Sequence, residues 1–321
     1  MSGTPEGGPF QGGAFGRDPR PEAKADAMPP LRDIPMQPII KPGLTGNTAV
    51  SVAVSWLAGA HVPAPARDAR VLLAQALGIS SGQLAAYILD PLNADAARAY
   101  DGLIKRRMQR EPVSHILGQR HFMNRTFRVS SAVLDPRPET EVLVRLAKAE
   151  PYRRVLDLGL GSGAILLTLL ADARGVATGV GVDTSEAVCE VAHYNAQSCG
   201  VLEAVDIFIS NWFEWVEGRF DLIVSNPPYI AAAEMPELAP EVRDWEPRGA
   251  LTDEGDGLGA YRAIARDLAT YLEPAGRFLC EIGPTQADAV CGILEGAGLS
   301  GLEVHADLDG RDRVVLARTP A

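Results

Sequence analysis

An α/β fold, with an open and mostly parallel sheet behind a small helical bundle, is what this sequence predicts, and three observations carry the prediction. After Pro151, short apolar runs alternate with helical repeats for about 165 residues, the rhythm of a sheet covered on both faces. The last two runs, Leu302–His305 and Arg313–Ala317, have no helix between them, so they should pair antiparallel. Residues 47–111 carry apolar side chains at helical spacing and no strand period.

The elements follow in order. Residues 1–46 hold 8 Gly and 9 Pro with few apolar residues in any period, so this tail reads as disordered; Met28 or Met36 could be the true start. It has no secretory apolar run, and its acidic residues argue against a transit peptide. From Thr48, Val50, Val54 and Leu57 share a helix face. A second helix follows Pro65 and stops at Gly78, Ser80–Leu89 makes a short third, and Asn93 or Asp95 caps a fourth that ends before Pro112. Phe122–Val133 alternates and reads as a hairpin, and Glu139–Lys148 as a helix after the breaker Asp135-Pro136-Arg137-Pro138. Then come strand Arg154–Leu158, helix Ala164–Ala171, strand Thr178–Val182 and helix Glu186–Ser198. Strands Val205–Ile209 and Phe220–Val224, helix Leu258–Leu272, strand Arg277–Glu281 and helix Gln286–Glu295 precede the closing pair.

Of 321 residues, 46% are apolar and 22% charged, enough for a sizeable core and unlike a disordered or collagenous chain. No run approaches the roughly 18 apolar residues of a membrane span. Cys189, Cys199, Cys280 and Cys291 form no CxxC pair, and His115, His121, His193 and His305 show no ligand spacing. Structural thiols, no metal and a cytoplasmic location are expected. The net charge of −11 argues against generic duplex binding. It is uneven: residues 47–137 carry 11 basic and 6 acidic groups, whereas 138–321 carry 14 and 30.

Three motifs carry chemistry. In Val155–Gly163, an apolar strand runs into Gly159, Gly161 and Gly163 and then a helix, leaving room for a ligand beside the helix N-terminus. This turn also satisfies a relaxed dinucleotide fingerprint. Asp183, ending the next strand, can accept both hydroxyls of a ribose, which NAD and S-adenosylmethionine share. The third motif decides between them. In Ser225-Asn226-Pro227-Pro228-Tyr229, two prolines remove donors and leave carbonyls free, so Asn226 and Pro227 can hold both hydrogens of a planar NH2 group. Tyr229 offers an aromatic wall. Fixing such a poor nucleophile in line with an activated methyl is positioning and electrostatics, with no metal required.

With these motifs in order, the run from Arg106 to Arg318 resembles the release factor glutamine methyltransferases, the PrmC/HemK family. The resemblance rests on Arg106-Arg107, Arg110-Glu111-Pro112, Ile116-Leu117-Gly118, Pro136-Arg137-Pro138-Glu139-Thr140-Glu141, the glycine turn, Ser225–Ile230, Glu246-Pro247-Arg248, Asp256-Gly257-Leu258, Glu281-Ile282-Gly283 and Asp312-Arg313. It covers about two thirds of the chain strongly and 47–105 more loosely. Asn-Pro-Pro-Tyr alone is shared with adenine methyltransferases; the Pro-Arg-Pro-Glu-Thr-Glu segment is more specific.

What the resemblance implies is a Rossmann-like class I methyltransferase sheet of seven strands, last pair antiparallel, with a small N-terminal helical domain. Residues 47–111 would be the helical bundle for substrate recognition, 112–150 a hairpin and connecting helix, and 151–321 the S-adenosylmethionine-dependent methyltransferase domain. It implies methyl transfer to the glutamine amide nitrogen in the Gly-Gly-Gln loop of bacterial class I peptide chain release factors, without direct nucleic-acid or membrane binding. Gly159, Leu160, Gly161, Ser162, Gly163, Asp183, Trp212 and Asn226 would contact the cofactor. Asn226, Pro227, Pro228 and Tyr229 would clamp the glutamine. Three positions depart from the family pattern: Leu160 for Thr or Ser, expected to be exposed and harmless; Asn211 for an acid; and Asp135 for Ile.

Arg137, Glu139, Thr140 and Glu141 either shape the substrate mouth and domain junction or form a helix-capping loop. Lys105–Arg107 with Arg110 reads as a solvated helix face, and the basic region could dock acidic surface of the release factor. Competing readings are glutamine methylation of a ribosomal protein, adenine methylation of nucleic acid, an NAD-dependent oxidoreductase and a non-catalytic adenosine-binding module. The oxidoreductase leaves Asn226–Tyr229 unexplained, and the adenine enzyme lacks a basic target domain.

Overall fold

A computed structural model describes residues 37–320, so the first 36 positions of the expected tail, with Met28 and Met36, lie outside the described residues. Disorder through residue 46 does not hold for its last part. The N–H groups of Ile39 and Ile40 both donate to Asp101 Oδ1 (2.6 and 3.0 Å), and Ile40 is buried. A buried acceptor on a distant helix ties these residues down, which composition alone does not reveal.

The helical elements are α1 (Gly46–Gly59), α2 (Pro65–Leu77), α3 (Leu84–Tyr87), α4 (Ala94–Met108) and α5 (Val113–Leu117). Their ends follow local rules: Pro65 opens α2, Gly78 closes it at φ 66°, and Asn93 Oδ1 caps α4 by accepting from Ala96 N–H at 2.8 Å. Leu57, Leu72, Leu73, Tyr100 and Ile104 form the core, and the Tyr100 hydroxyl is satisfied by Ala69 O (2.8 Å). The expected third helix, Ser80–Leu89, splits into a 3-10 turn, Ser81–Gln83, and α3; at its start the Ser80 N–H and hydroxyl both donate to Gln83 Oε1 (3.0 and 2.9 Å). The five-residue α5, between Pro112 and Gly118 (φ 69°), is too short to show a period.

The hairpin is β1 (Gln119–Phe122) and β2 (Arg125–Arg128), paired Gln119↔Arg128 to Phe122↔Arg125. It therefore starts earlier than the expected Phe122–Val133 and ends at Arg128. Met123 takes φ 53° at the turn, and Val129 and Val133 instead pack beside Val188.

After α6 (Glu141–Ala147) the sheet begins. It comprises β3 (Arg154–Leu158), β4 (Thr178–Asp183), β5 (Val205–Ile209), β6 (Phe220–Ser225), β7 (Leu272–Glu281), β8 (Ser300–Ala306) and β9 (Asp312–Arg318). The order is β5-β4-β3-β6-β7-β9-β8; β3 to β7 run parallel, and β9 is antiparallel to both neighbours. Helices α7 (Ala164–Ala171), α8 (Glu186–Ser198), α9 (Pro240–Arg243), α10 (Gly259–Tyr271) and α11 (Ala287–Gly296) complete the chain. Alternation along the strands produces two cores. Val155, Leu222, Val224 and Leu279 pack with Leu143 of α6 and Leu166 of α7, whereas Leu156, Ile223 and Phe278 pack with Ile264 of α10 and Val290 of α11. Both faces are thus covered, as near-continuous apolar strands require. No described helix is long and apolar enough to cross a membrane.

Candidate functional site

The strand order reverses at β3, so the crevice outside the carboxyl ends of β3 and β6 is where such a sheet receives a ligand. A cavity of about 600 Å3 opens there, lined by the turns after β3, β4, β5 and β6. Its size falls in the roughly 300–1,000 Å3 typical of small-molecule sites.

The turn after β3 is the glycine segment. Gly159 (φ 77°), Gly161 (54°) and Gly163 (79°) all lie in the left-handed region, and the N–H groups of Gly159 and Leu160 bond to Val182 O (3.0 and 2.9 Å). Gly159, Leu160, Gly161 and Ser162 line the cavity; Gly163 does not, and serves as the N-cap of α7. Leu160 is not exposed, contrary to expectation. It is 4% accessible and lies over Gly181, where an added Cβ would meet its Cδ1 at 2.7 Å. An apolar side chain at this position is accommodated because β4 offers a glycine beneath it.

Asp157, beneath the same turn, was not among the expected site residues. Its carboxyl is fully buried, Oδ2 accepts from Leu166 N–H (3.3 Å) and Oδ1 has no partner; burial raises its pKa well above the ordinary value, and the Asp183 charge adds to this. Its place at the end of a strand entering a glycine turn was the available signal.

Asp183 ends β4 and lines the cavity, accepting N–H bonds from Gly161 and Ser185 (3.2 Å each). Burial raises its pKa, and the backbone donors oppose the shift. After β5, Trp212 lines the cavity with its backbone at φ 53°, a conformation held by the Ser210 hydroxyl, which donates to Trp212 O (3.0 Å) and accepts from Trp215 N–H (3.1 Å). A Cβ on Gly159 would approach the Trp212 ring at 3.9 Å, so indole and glycine turn face each other. Asn211 lines the cavity beside it.

After β6 comes the Asn-Pro-Pro-Tyr segment. Ser225 Oγ donates to Leu158 O (2.7 Å), locking this turn to the one after β3. Asn226 lines the cavity; its Nδ2 donates to Thr140 Oγ1 (3.4 Å), and its Oδ1 is buried without a partner. An unmade bond at a buried acceptor costs about 1–3 kcal/mol, so this oxygen is suited to an incoming N–H. Pro228 also lines the cavity, whereas Pro227 and Tyr229 do not. The Tyr229 hydroxyl donates to Glu281 Oε1 (3.2 Å), and Glu281 Oε2 accepts from Thr140 Oγ1 (2.6 Å). Burial raises the Glu281 pKa; Thr140, Arg313 and Tyr229 oppose it.

Segments far apart in sequence converge here. Gln286 Nε2 donates to Tyr229 O (2.9 Å) and Gly257 O (3.2 Å), while Gln286 Oε1 accepts from Gly283 N–H (2.9 Å). Arg313 donates to Ile282 O (3.2 Å). Thr140 of the Pro-Arg-Pro-Glu-Thr-Glu segment therefore belongs to the site, and Arg137 reaches across to Glu246 with contacts of 2.5 and 2.6 Å. Glu141 instead accepts from Met123 N–H (3.0 Å) and Arg145 (2.5 Å).

The basic cluster on α4 departs from expectation. Arg107 and Arg110 are buried: Arg107 bonds Asp68 (2.8 Å) and Glu241 (2.9 Å), and Arg110 grips Glu241 at 2.7 and 2.5 Å. Lys105 pairs with Asp101 (2.9 Å), and Arg106 pairs with Glu111. Arg107 and Arg110 thus hold α9 and the cavity-side segment that follows it, where a solvated face was expected, whereas Arg106 is exposed as expected. Asp135 also has a role: it is buried, accepts from the Ser114 hydroxyl, and places Oδ1 3.8 Å from His115 Nε2. Among the described residues no three His, Cys, Asp or Glu side chains are grouped to hold a metal ion.

The chain is similar in sequence to known proteins. Residues 48–118 match the PrmC N-terminal domain, and residues 123–242 match the methyltransferase small domain. A release factor glutamine methyltransferase of Cereibacter sphaeroides is 51% identical over 273 residues, covering 85% of this chain and 98% of that protein. Those of Rhodospirillum rubrum and Caulobacter vibrioides are 43% and 39% identical, covering 82% and 85% of this chain and 81% and 96% of theirs.

Proposed function

The chain belongs to the release factor glutamine methyltransferases, and from that membership we propose that Asn226, which lines the cavity described above, holds the glutamine amide together with the main-chain carbonyl of the adjoining Pro227. The enzyme transfers a methyl group from S-adenosylmethionine to the side-chain amide nitrogen of glutamine in the Gly-Gly-Gln motif of class I release factors.

The residues present fit the cofactor. The cavity has the volume, Asp183 supplies carboxylate acceptors for ribose hydroxyls, Gly159 and Gly161 leave the backbone open, and the Trp212 ring offers a flat surface for adenine. S-adenosylmethionine supplies an electrophilic methyl on a sulfonium centre. The protein's part is to prepare the nitrogen. Asn226 Oδ1, a buried amide oxygen without a partner on a residue that lines the cavity, carries this reading: with the Pro227 carbonyl it accepts the two amide hydrogens and turns the nitrogen lone pair outward. The methylated nitrogen then releases its surplus proton to solvent, so no side-chain base is needed. Residues 47–111 would contribute substrate recognition by anchoring the 231–258 segment through Glu241, which orders the cavity's rim.

Incubation with labelled S-adenosylmethionine and an unmethylated class I release factor, followed by peptide mapping, tests the reading. Label on the Gly-Gly-Gln glutamine is the expected result. No label there, with transfer instead to a glutamine of ribosomal protein or to adenine when ribosomes or nucleic acid are supplied in parallel incubations, would replace it.

A further inference from the structure

We propose that the buried Glu281 carboxylate, acting through the Thr140 hydroxyl, sets the polarity of the Asn226 amide, so that its oxygen rather than its nitrogen meets the substrate. The proposal rests on the reading of Asn226 as the glutamine clamp and adds two positioning residues to it.

A primary amide can be turned over with little change of shape, yet the two orientations have opposite chemistry. With Oδ1 forward, Asn226 accepts from the glutamine NH2; with Nδ2 forward, two donors oppose each other and the clamp fails. What stands behind the amide decides. Thr140 Oγ1 has one proton, and it is committed to Glu281 Oε2 at 2.6 Å. The oxygen can then only accept, so it takes Asn226 Nδ2 at 3.4 Å. Glu281 is 1% exposed, and its other oxygen accepts from the Tyr229 hydroxyl at 3.2 Å, so both ends of the Asn226–Tyr229 segment answer to one carboxylate. Arg313 supplies the compensating positive charge near it. Glu281 itself is held at the end of β7, where its carbonyl accepts from the Tyr261 hydroxyl (2.8 Å). Asn226, Thr140 and Glu281 come from three separate segments, which is why no local motif displays the relay.

Removing the relay should damage turnover and leave cofactor binding intact. Thr140→Val keeps the shape and deletes the acceptor; kcat should fall about tenfold or more, with the Kd for S-adenosylmethionine within about twofold. Thr140→Ser restores the hydroxyl and should retain most of the turnover. Glu281→Gln is the second probe, since its amide can donate to Thr140 and free that hydroxyl to donate toward Asn226; it too should lower kcat about tenfold. Thermal melts of each variant check folding, and Asn226→Ala is measured alongside. An inactive Asn226→Ala beside a fully active Thr140→Val, or a Thr140→Ser as poor as the valine variant, overturns the relay and leaves the clamp standing. An Asn226→Ala that turns over normally overturns the clamp and the relay with it. Normal turnover in Glu281→Gln beside a crippled Thr140→Val removes Glu281 from the account.

Discussion

Arg110 and Glu241 are 131 positions apart and meet through two hydrogen bonds, Nε to Oε1 at 2.7 Å and Nη2 to Oε2 at 2.5 Å. Arg107 shares Glu241 Oε1 at 2.9 Å, and the Trp245 indole N–H donates to Gln109 O at 3.3 Å. Arg110 also adopts φ 71°, so the backbone after α4 is bent to deliver its guanidinium. One carboxylate thereby fastens the segment that leads to the cavity wall at Pro247, Gly249 and Ala250.

Glu241→Ala leaves two buried guanidinium groups without their shared acceptor, and stability should fall by about 3–5 kcal/mol in denaturant titration. A double-mutant cycle with Arg110→Gln should return a coupling of about 1.5 kcal/mol or more. Charge reversal at Arg107 will therefore report on folding before it reports on docking a release factor. An additive cycle would show that the pairing is incidental.

Leu160→Ala should destabilise the protein by about 2–4 kcal/mol, because the side chain fills space over Gly181 beside the glycine turn. It should also weaken S-adenosylmethionine binding, as the turn loses its support. Calorimetric titration and melting on one variant check both. A neutral outcome would return Leu160 to the exposed, harmless role its sequence position suggested.

How far the sequence carries the structure depends on the range of the contact that decides each feature. The β3 glycine turn, Asp183 and the Asn226–Tyr229 segment are local patterns at strand ends, and strand order brings them to one edge. Thr140 against Glu281, Arg110 against Glu241 and Ile40 against Asp101 join positions that share no period, so their partners could not be read from spacing. Leu160 departs from its expected exposure for the same reason: the glycine beneath it sits on a neighbouring strand. The short α5 and α9 lie below the length at which a helical repeat becomes visible.

Glu246 introduces a pH dependence. Burial pushes its pKa from 4.5 up to about 7, with the Arg137 guanidinium opposing and Asp135 reinforcing the rise. The folded state thus holds this proton more tightly than the unfolded chain. The group's contribution to stability is present below pH 4.5 and is lost as pH rises through about 7, a loss on the order of 3 kcal/mol. Glu246→Gln carries no such proton, so its stability relative to the parent should improve between pH 5 and pH 8. A constant difference across that range would contradict the assignment.

Gly257 has φ 76°, and a Cβ there would sit 2.3 Å from the Tyr229 carbonyl. Gly257→Ala must displace the end of the clamp segment. Turnover should fall about tenfold or more while the cofactor still binds, and single-turnover kinetics separate the two effects. A variant with normal turnover would show that this backbone can move without consequence.

The central claim is that Asn226 Oδ1 awaits the substrate's amide, and turnover measured beside cofactor affinity in Asn226→Ala tests it most directly. The account predicts a kcat lowered about a hundredfold or more, with the Kd for S-adenosylmethionine changed by less than about threefold. Turnover at the parental rate in a folded Asn226→Ala enzyme would contradict it.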